Sequence, residues 1–254
     1  MLHRVVDGVY IVSWFPALYL EEFRALVVAD IHLGFEEEMA QRGVFLPRAQ
    51  LKRAIDVIER CLGIVDAERL IIAGDLKHLF SKLGRRERRD VVDFLEYVRK
   101  RFREILLVRG NHDTFVYVKL RDYGVELVDK LWLRDILVVH GHRELDSKDS
   151  PRVVIMGHEH PSIPLRDPLG PITKVPCFLV APLARGCIAI VVPALGMYQS
   201  GTSISTTRSG YLSPILRKEA DLENAYPIAV IEGEGVFELP RLADIESFLN
   251  TATL

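Results

Sequence analysis

Six of the eight histidines, His32, His112, His140, His142, His158 and His160, stand in short polar segments that each follow an apolar run. Asp30-Ile31-His32 follows Leu26–Ala29, Gly74-Asp75 follows Leu70–Ala73, and Gly110-Asn111-His112-Asp113 follows Ile105–Val108 after Arg109. His140-Gly141-His142 follows Ile136–Val139, and Gly157-His158-Glu159-His160 follows Val153–Met156. Mixed imidazole, carboxylate and carboxamide groups suit a borderline divalent ion such as Mn2+, Fe2+ or Zn2+. A structural zinc site would be richer in cysteine. In an extended segment residues i and i+2 share a side, so Asp30 and His32 would face one ion, as would His158 and His160.

Taken singly, each segment has an ordinary alternative. An Asp after a strand is commonly a helix N-cap, and Gly-Asp is commonly a turn. An isolated histidine is commonly packed or solvated, which is the default for His3 and His78. The gathering of six histidines at the ends of apolar runs is what sets the chemical reading apart.

Bringing these groups together requires strands. The runs are four or five residues long and rich in Ile, Leu and Val, the pattern of strands buried on both faces. Cys187–Val192 and Ile228–Ile231 look similar, and Glu232–Gly235 before Val236-Phe237 predicts a hairpin. Leu51, Ala54, Ile55, Ile58 and Leu62 keep helical spacing, with Pro47 in the first turn and Gly63 at the end. Val91, Leu95, Val98 and Phe102 predict a second helix. This alternation belongs to a layered α/β fold, whose ligands bind beyond the carboxyl ends of the strands. By itself it allows a doubly wound sheet as well as a sandwich. After Pro161 proline and glycine become frequent, predicting loops and short strands over 161–254. The Gly/Ser-containing stretch 197–208 suits a loop near the site or an ordinary surface loop.

The chain has 254 residues, and 49% of them are hydrophobic, enough for a substantial core. With no marked linker, one domain over 1–254 is expected. No apolar run reaches the roughly 18 residues of a membrane span. Three scattered cysteines suggest a reducing compartment, so the cytoplasm is expected. A net charge of −2 gives no support to nucleic-acid coating and does not exclude a local patch. Lys82–Arg103 is such a patch, with nine basic and four acidic residues. It suits either a solvated helix face with i, i+4 ion pairs or a phosphate-backbone contact beside the cleft.

Taken in order, D-x-H, G-D, G-N-H-D, H and G-H-x-H resemble the calcineurin-like metallophosphoesterase superfamily over Ala25–His160. Gly74-Asp75-Leu76-Lys77-His78 is similar to small archaeal and bacterial phosphoesterases related to SbcD-type nucleases. The resemblance implies a four-layer αββα sandwich of two mixed β-sheets flanked by helices. It implies that Asp30, His32, Asp75 and His160 hold one metal ion and Asp75, Asn111, His140 and His158 a second. Mn2+ is the favoured ion, with Fe2+, Zn2+ or Mg2+ as options. A hydroxide activated by both ions would attack phosphorus. His112 would approach the leaving group and Asp113 would orient it. Lys77, His78 and His142 are candidate substrate contacts, Lys77 and His78 being equally well read as a solvated lysine and a loop histidine.

A phosphodiesterase is expected, with nuclease action on DNA or RNA among its forms. A phosphomonoesterase or nucleotidase is the alternative, and a non-catalytic protein-binding module ranks lower because the ligand set and His112 are all present. The partner is a phosphoester substrate, nucleic acid included. No membrane partner is expected, and the oligomeric state is open, a homodimer included. Only 17 residues separate His140 from His158 and 94 follow His160, so the capping region and ATPase partner of SbcD-type nucleases are not expected.

Overall fold

The computed structural model describes the backbone of residues 1–167, 170–199 and 201–252 and their side chains except at 117, 118, 166, 167, 170, 171 and 249–252. Ser200, within the polar stretch 197–208, lies outside the described residues.

The first sheet holds seven strands in chain order: β1 (Leu2–Val6), β2 (Val9–Val12), β3 (Leu18–Leu20), β4 (Ala25–Val28), β5 (Arg69–Ile72), β6 (Glu104–Val108) and β7 (Val125–Val128). β1 to β4 pair antiparallel and β4 to β7 parallel. Parallel neighbours need crossovers. These contain α1 (Phe35–Gln41) and α2 (Gln50–Leu62), then α3 (Arg85–Arg99), then α4 (Tyr117–Asp122).

The second sheet contains β8 (Leu131–Leu133), β9 (Ile136–Val139), β10 (Val153–Met156), β11 (Pro161–Asp167), β12 (Gly170–Pro182), β13 (Ile188–Val191) and β14 (Thr202–Ser203). Its order is β14-β11-β12-β13-β10-β9-β8, with the hairpin β15 (Tyr226–Ile231) and β16 (Gly235–Glu238) attached to β12. Two further helices, α5 (Pro214–Glu219) and α6 (Leu242–Ala252), complete the chain.

Alternation along the strands explains the layers. Leu26 and Val28 of β4 face outward into a cluster with Ala54, Val57 and Ile58 of α2 and Val91, Phe94 and Leu95 of α3. Ala25 and Val27 face inward, with Ile71 and Leu106, onto Val138, Ile155, Phe178 and Ile190 of the second sheet. Leu137, Val154, Leu179 and Val191 face the other way, onto Ile215 and Leu216 of α5 and Leu242 of α6. The stack is helices, sheet, sheet, helices, the expected αββα sandwich. Each fully buried Leu, Ile or Val in these clusters is worth about 1.5–3 kcal/mol of transfer free energy, which keeps the strand ends in fixed relation.

Two regions depart from the sequence reading. β1 to β3 form an antiparallel edge over Leu2–Leu20, a region that the sequence pattern left unassigned and that contains Pro16. That proline lies between β2 and β3, where the chain turns. The expectation of loops and short strands after Pro161 also needs correction, since β12 runs for thirteen residues. Its first half pairs with β11, and its second half lies between β13 and β15.

Candidate metal centre

Each ligand-bearing segment begins where a core strand stops. β4, β5 and β6 run parallel in the first sheet, and β9 and β10 run parallel in the second. Their carboxyl ends meet at one rim. The segments there are not extended. Asp30, His32, Asp75, His158 and His160 have φ between 48° and 69°, five of the nine non-glycine residues with positive φ among the described residues. The shared facing expected from strand alternation is therefore produced by left-handed turns. Bonds between segments hold those turns: Asp30 N–H donates to Gly74 O (3.1 Å), His32 N–H to Asp75 O (2.9 Å) and His158 N–H to Asp30 Oδ2 (2.9 Å). Gly74 (φ +92°) is required at its position, because a Cβ there would overlap the His140 ring.

The turns gather Asp30, His32 and His160 into one group of donor atoms and Asp75, His140 and His158 into another, the members of each lying within 4.8 Å of one another. His32 Nε2 and His160 Nε2 are 3.4 Å apart. That equals the separation of two ligands about 2.1 Å from a tetrahedral ion. Asp75 Oδ2 lies between the groups, 3.2 Å from His140 Nε2 and 3.9 Å from His32 Nε2. Asn111 Oδ1 is 3.0 Å from His140 Nε2.

The donors fit cations. Asp30 Oδ1 is buried without a hydrogen-bond partner, with His160 Nε2 at 3.4 Å and His140 Nδ1 at 3.7 Å. His140 Nδ1 is 2.9 Å from the carbonyl of Ala73, which can only accept, so Nδ1 carries a proton. In neutral imidazole Nε2 is then a lone pair, and it faces two oxygens, Asp75 Oδ2 and Asn111 Oδ1. That arrangement is repulsive unless a proton or a metal ion sits between. Without metal, burial pulls the His140 pKa down, but the Asp75 and Asp30 carboxylates outweigh it and hold it up at about 9. Burial pushes Asp75 up, yet the facing imidazoles keep it below the ordinary carboxylate range. Burial drives His32 to about 3 and His158 to about 4, leaving both neutral and able to ligate.

The other named residues divide. His112 Nδ1 is hydrogen-bonded to the carbonyl of His78, so its Nε2 is turned into the cleft, 3.8 Å from Asp75 Oδ2. The expectation that Asp113 orients His112 needs correction. The buried Asp113 carboxylate accepts N–H bonds from Gly110, Asp75 and Leu76, each 2.9 Å, and so ties the third segment to the second. The His78 carbonyl holds the ring instead. Lys77 also departs from its expected phosphate contact. Its side chain is fully buried, and its ammonium donates to the carbonyls of Leu79 and Lys82.

His78 does reach the cleft, with Nδ1 3.3 Å from His32 Nδ1 and Nε2 2.7 Å from Glu38 of α1. His142 lines a recess of about 200 Å³ with His140, Arg109 and Arg143, and its Nδ1 is buried without a partner. Three contributors escaped the sequence reading. Glu38 follows the first motif on a helix that the sequence pattern did not reveal. Phe80, 54% exposed, sets its ring 3.6 Å from that of His112. Glu159, between two candidate ligands, turns away and accepts N–H bonds from Leu212 (3.0 Å) and Ser213 (2.8 Å) just before α5.

A two-sheet sandwich with carboxylates and imidazoles clustered at one rim has the donor groups of a site for divalent cations. The calcineurin-like phosphoesterase family model matches residues 23–162, more than half of the sequence and all five segments, and the chain belongs to that family. Among solved structures it is similar to the Pseudomonas putida nuclease MPE, with a TM-score of 0.65 and 23% identity over 94% of this chain and 99% of that one. That likeness is one of fold. Yfce, a phosphoesterase from E. coli, aligns with a TM-score of 0.42 and 16% identity over 85% of this chain and 98% of that one. No curated protein matches the sequence. No helix among the described residues is long and apolar enough to cross a membrane.

Proposed function

We propose that this member of the family is a phosphodiesterase acting on nucleic acid and working with two divalent cations, Mn2+ first among them, in the cytoplasm. Asp30, His32, Asp75 and His160 hold one cation, and Asp75, Asn111, His140 and His158 the other. When bound, the pair supplies an activated water and offsets charge on the phosphoryl oxygens. The chain's own residues do the rest. His112 keeps Nδ1–H on the His78 carbonyl, so proton exchange with the leaving oxygen takes place at Nε2. Asp113 keeps the Asn111–His112 loop in register with Asp75. His78, held by Glu38, and His142 line the two sides of the substrate.

One observation favours a diester over a monoester: open space flanks the donor cluster on both sides. A groove of about 780 Å³ leads away from His160, past Pro161 and Lys174 towards Trp14. The recess at His140 and His142 opens on the other side. A diester needs room for two substituents on phosphorus, and a monoester for one.

The test is hydrolysis of bis-p-nitrophenyl phosphate against p-nitrophenyl phosphate with Mn2+, with His112→Ala as control. Preference for the diester, reduced by about 10²–10⁴-fold in the variant, is the expected result. Preference for the monoester would overturn the reading in favour of a phosphomonoesterase.

A further inference from the structure

The basic segment admitted two readings in sequence, and the structure separates them. A solvated helix face would carry i, i+4 ion pairs. Among the described residues no ion pair joins two members of α3, although Arg86 and Asp90, and Arg89 and Asp93, have the spacing. Of its four acids, Glu87, Asp90 and Glu96 are engaged elsewhere, the last by the Tyr123 hydroxyl, and Asp93 is exposed. Glu87 is buried and accepts N–H bonds from His78 (2.9 Å), Leu79 (2.7 Å) and Gly84 (3.0 Å). Asp90 pairs with Arg48. On the neighbouring α1, Glu36 accepts from the backbone of Ala49 and Gln50, and Glu38 pairs with Arg42 and His78. Glu37 caps α3 by accepting from Arg86 N–H (3.0 Å) and Glu87 N–H (2.8 Å). The helix end is thus already satisfied, and the surplus positive charge belongs to side chains.

Those side chains form a groove. Arg48, Arg85, Arg86 and Arg89 line about 580 Å³ of open space, and the last three are exposed, with no acid paired to them among the described residues. The groove lies close to the chemistry. Phe80, packed on His112, is five residues before Arg85, so their Cα atoms are at most about 18 Å apart. Along a duplex axis, where each strand carries a phosphate every ~3.4 Å, that span covers at most about five phosphates.

We propose that this arginine groove is a track for the phosphate backbone of a nucleic-acid strand that passes Phe80 on its way from the metal centre. Guanidinium groups suit repeated phosphates because each offers several N–H donors in a fixed fork. The exposed Phe80 ring offers a face on which a base can stack. The inference rests on the phosphodiesterase reading and narrows it to polyanionic substrates held several nucleotides from the scissile bond.

The experiment measures binding of a fluorescein-labelled 20-nucleotide single-stranded DNA by anisotropy, in EDTA, over a range of salt concentrations. The proteins are wild type, Arg85→Ala/Arg86→Ala/Arg89→Ala, and a charge-matched control at the other end of the segment, Arg99→Ala/Lys100→Ala/Arg103→Ala. The groove variant should bind at least about tenfold more weakly, with a log–log salt slope smaller by about 2, the value for three lost phosphate contacts. The control should stay within about twofold of wild type. Replacing the three groove arginines with lysine should retain most of the salt slope. Unchanged affinity and slope in the groove variant would overturn the proposal, as would an equal loss in the control. Hydrolysis of bis-p-nitrophenyl phosphate by wild type, assayed separately, tests the underlying reading. A protein that cleaves the diester but binds DNA equally well in both variants loses the groove alone.

Discussion

The two sheets bring different chemistry to the same rim. The first supplies the anionic and amide groups, Asp30, Asp75 and Asn111, together with the imidazoles of His32, His78 and His112. The second supplies imidazoles alone, His140, His142, His158 and His160, because its one carboxylate in these segments, Glu159, is turned to the backbone before α5. Neither sheet makes a site by itself. In the metal-free protein, protonated His140 faces Asp75 across the junction. Cations would replace that proton and tie one sheet to the other.

The asymmetry can be broken at its centre. Asp75→Ala should remove both cations and lower hydrolysis by more than about 100-fold, beyond the usual effect of losing a group that merely supports a ligand. Metal content by mass spectrometry checks it, and retained activity with unchanged metal would sink the shared assignment of Asp75. His158→Ala should remove only the second cation, so the same measurement distinguishes the bridging carboxylate from a single imidazole. Next in size is Asp113→Ala. It strands three buried N–H donors at about 1–3 kcal/mol each. A large drop in melting temperature is expected, whereas His112→Ala should melt near wild type.

Metal removal probes the junction as a whole. Saturation at about 100 times the dissociation constant adds ~2.7 kcal/mol, so chelation should lower the melting temperature by about 5–10 °C. The affinity itself should depend on pH. His140 is protonated below about 9 in the metal-free protein and must give up that proton to ligate. Affinity at the second position should therefore rise as pH increases towards about 9, by up to about tenfold per unit, and flatten above it. The smaller of the two acceptor losses belongs to Glu159→Ala, which leaves two amides, those of Leu212 and Ser213, without their acceptor against the three of Asp113→Ala at about 1–3 kcal/mol each, and should lower the melting temperature less.

The site was more legible than the fold around it, for physical reasons. A buried parallel strand is a short run of Ile, Leu and Val, and Asp or His directly after it stands out. That contrast marked β4, β5, β6, β9 and β10. The antiparallel edge β1 to β3 consists of strands of five, four and three residues joined by turns, too short for periodicity to register. β12 contains Pro171, Pro176 and Pro182, residues that argue against a strand interior, and it takes partners from two directions that sequence does not reveal. Lys77 and Asp113 were misplaced because sequence shows a charge and not the direction it points. One side chain turns inward to carbonyls, and the other gathers amides from two segments. The arginines of α3 were visible from the outset, but the partners of their neighbouring acids were visible only in three dimensions.

The left-handed turns at Asp30, His32, Asp75, His158 and His160 carry an evolutionary consequence. An L-residue in that conformation costs about 1–2 kcal/mol, somewhat less for Asp and His, while glycine adopts it freely. Five such positions together approach the lower end of a domain's net stability, about 5 kcal/mol. A population of these chains selected for thermal endurance alone should drift towards glycine or asparagine at those positions. The persistence of Asp and His there would then record how long selection for chemistry has been maintained.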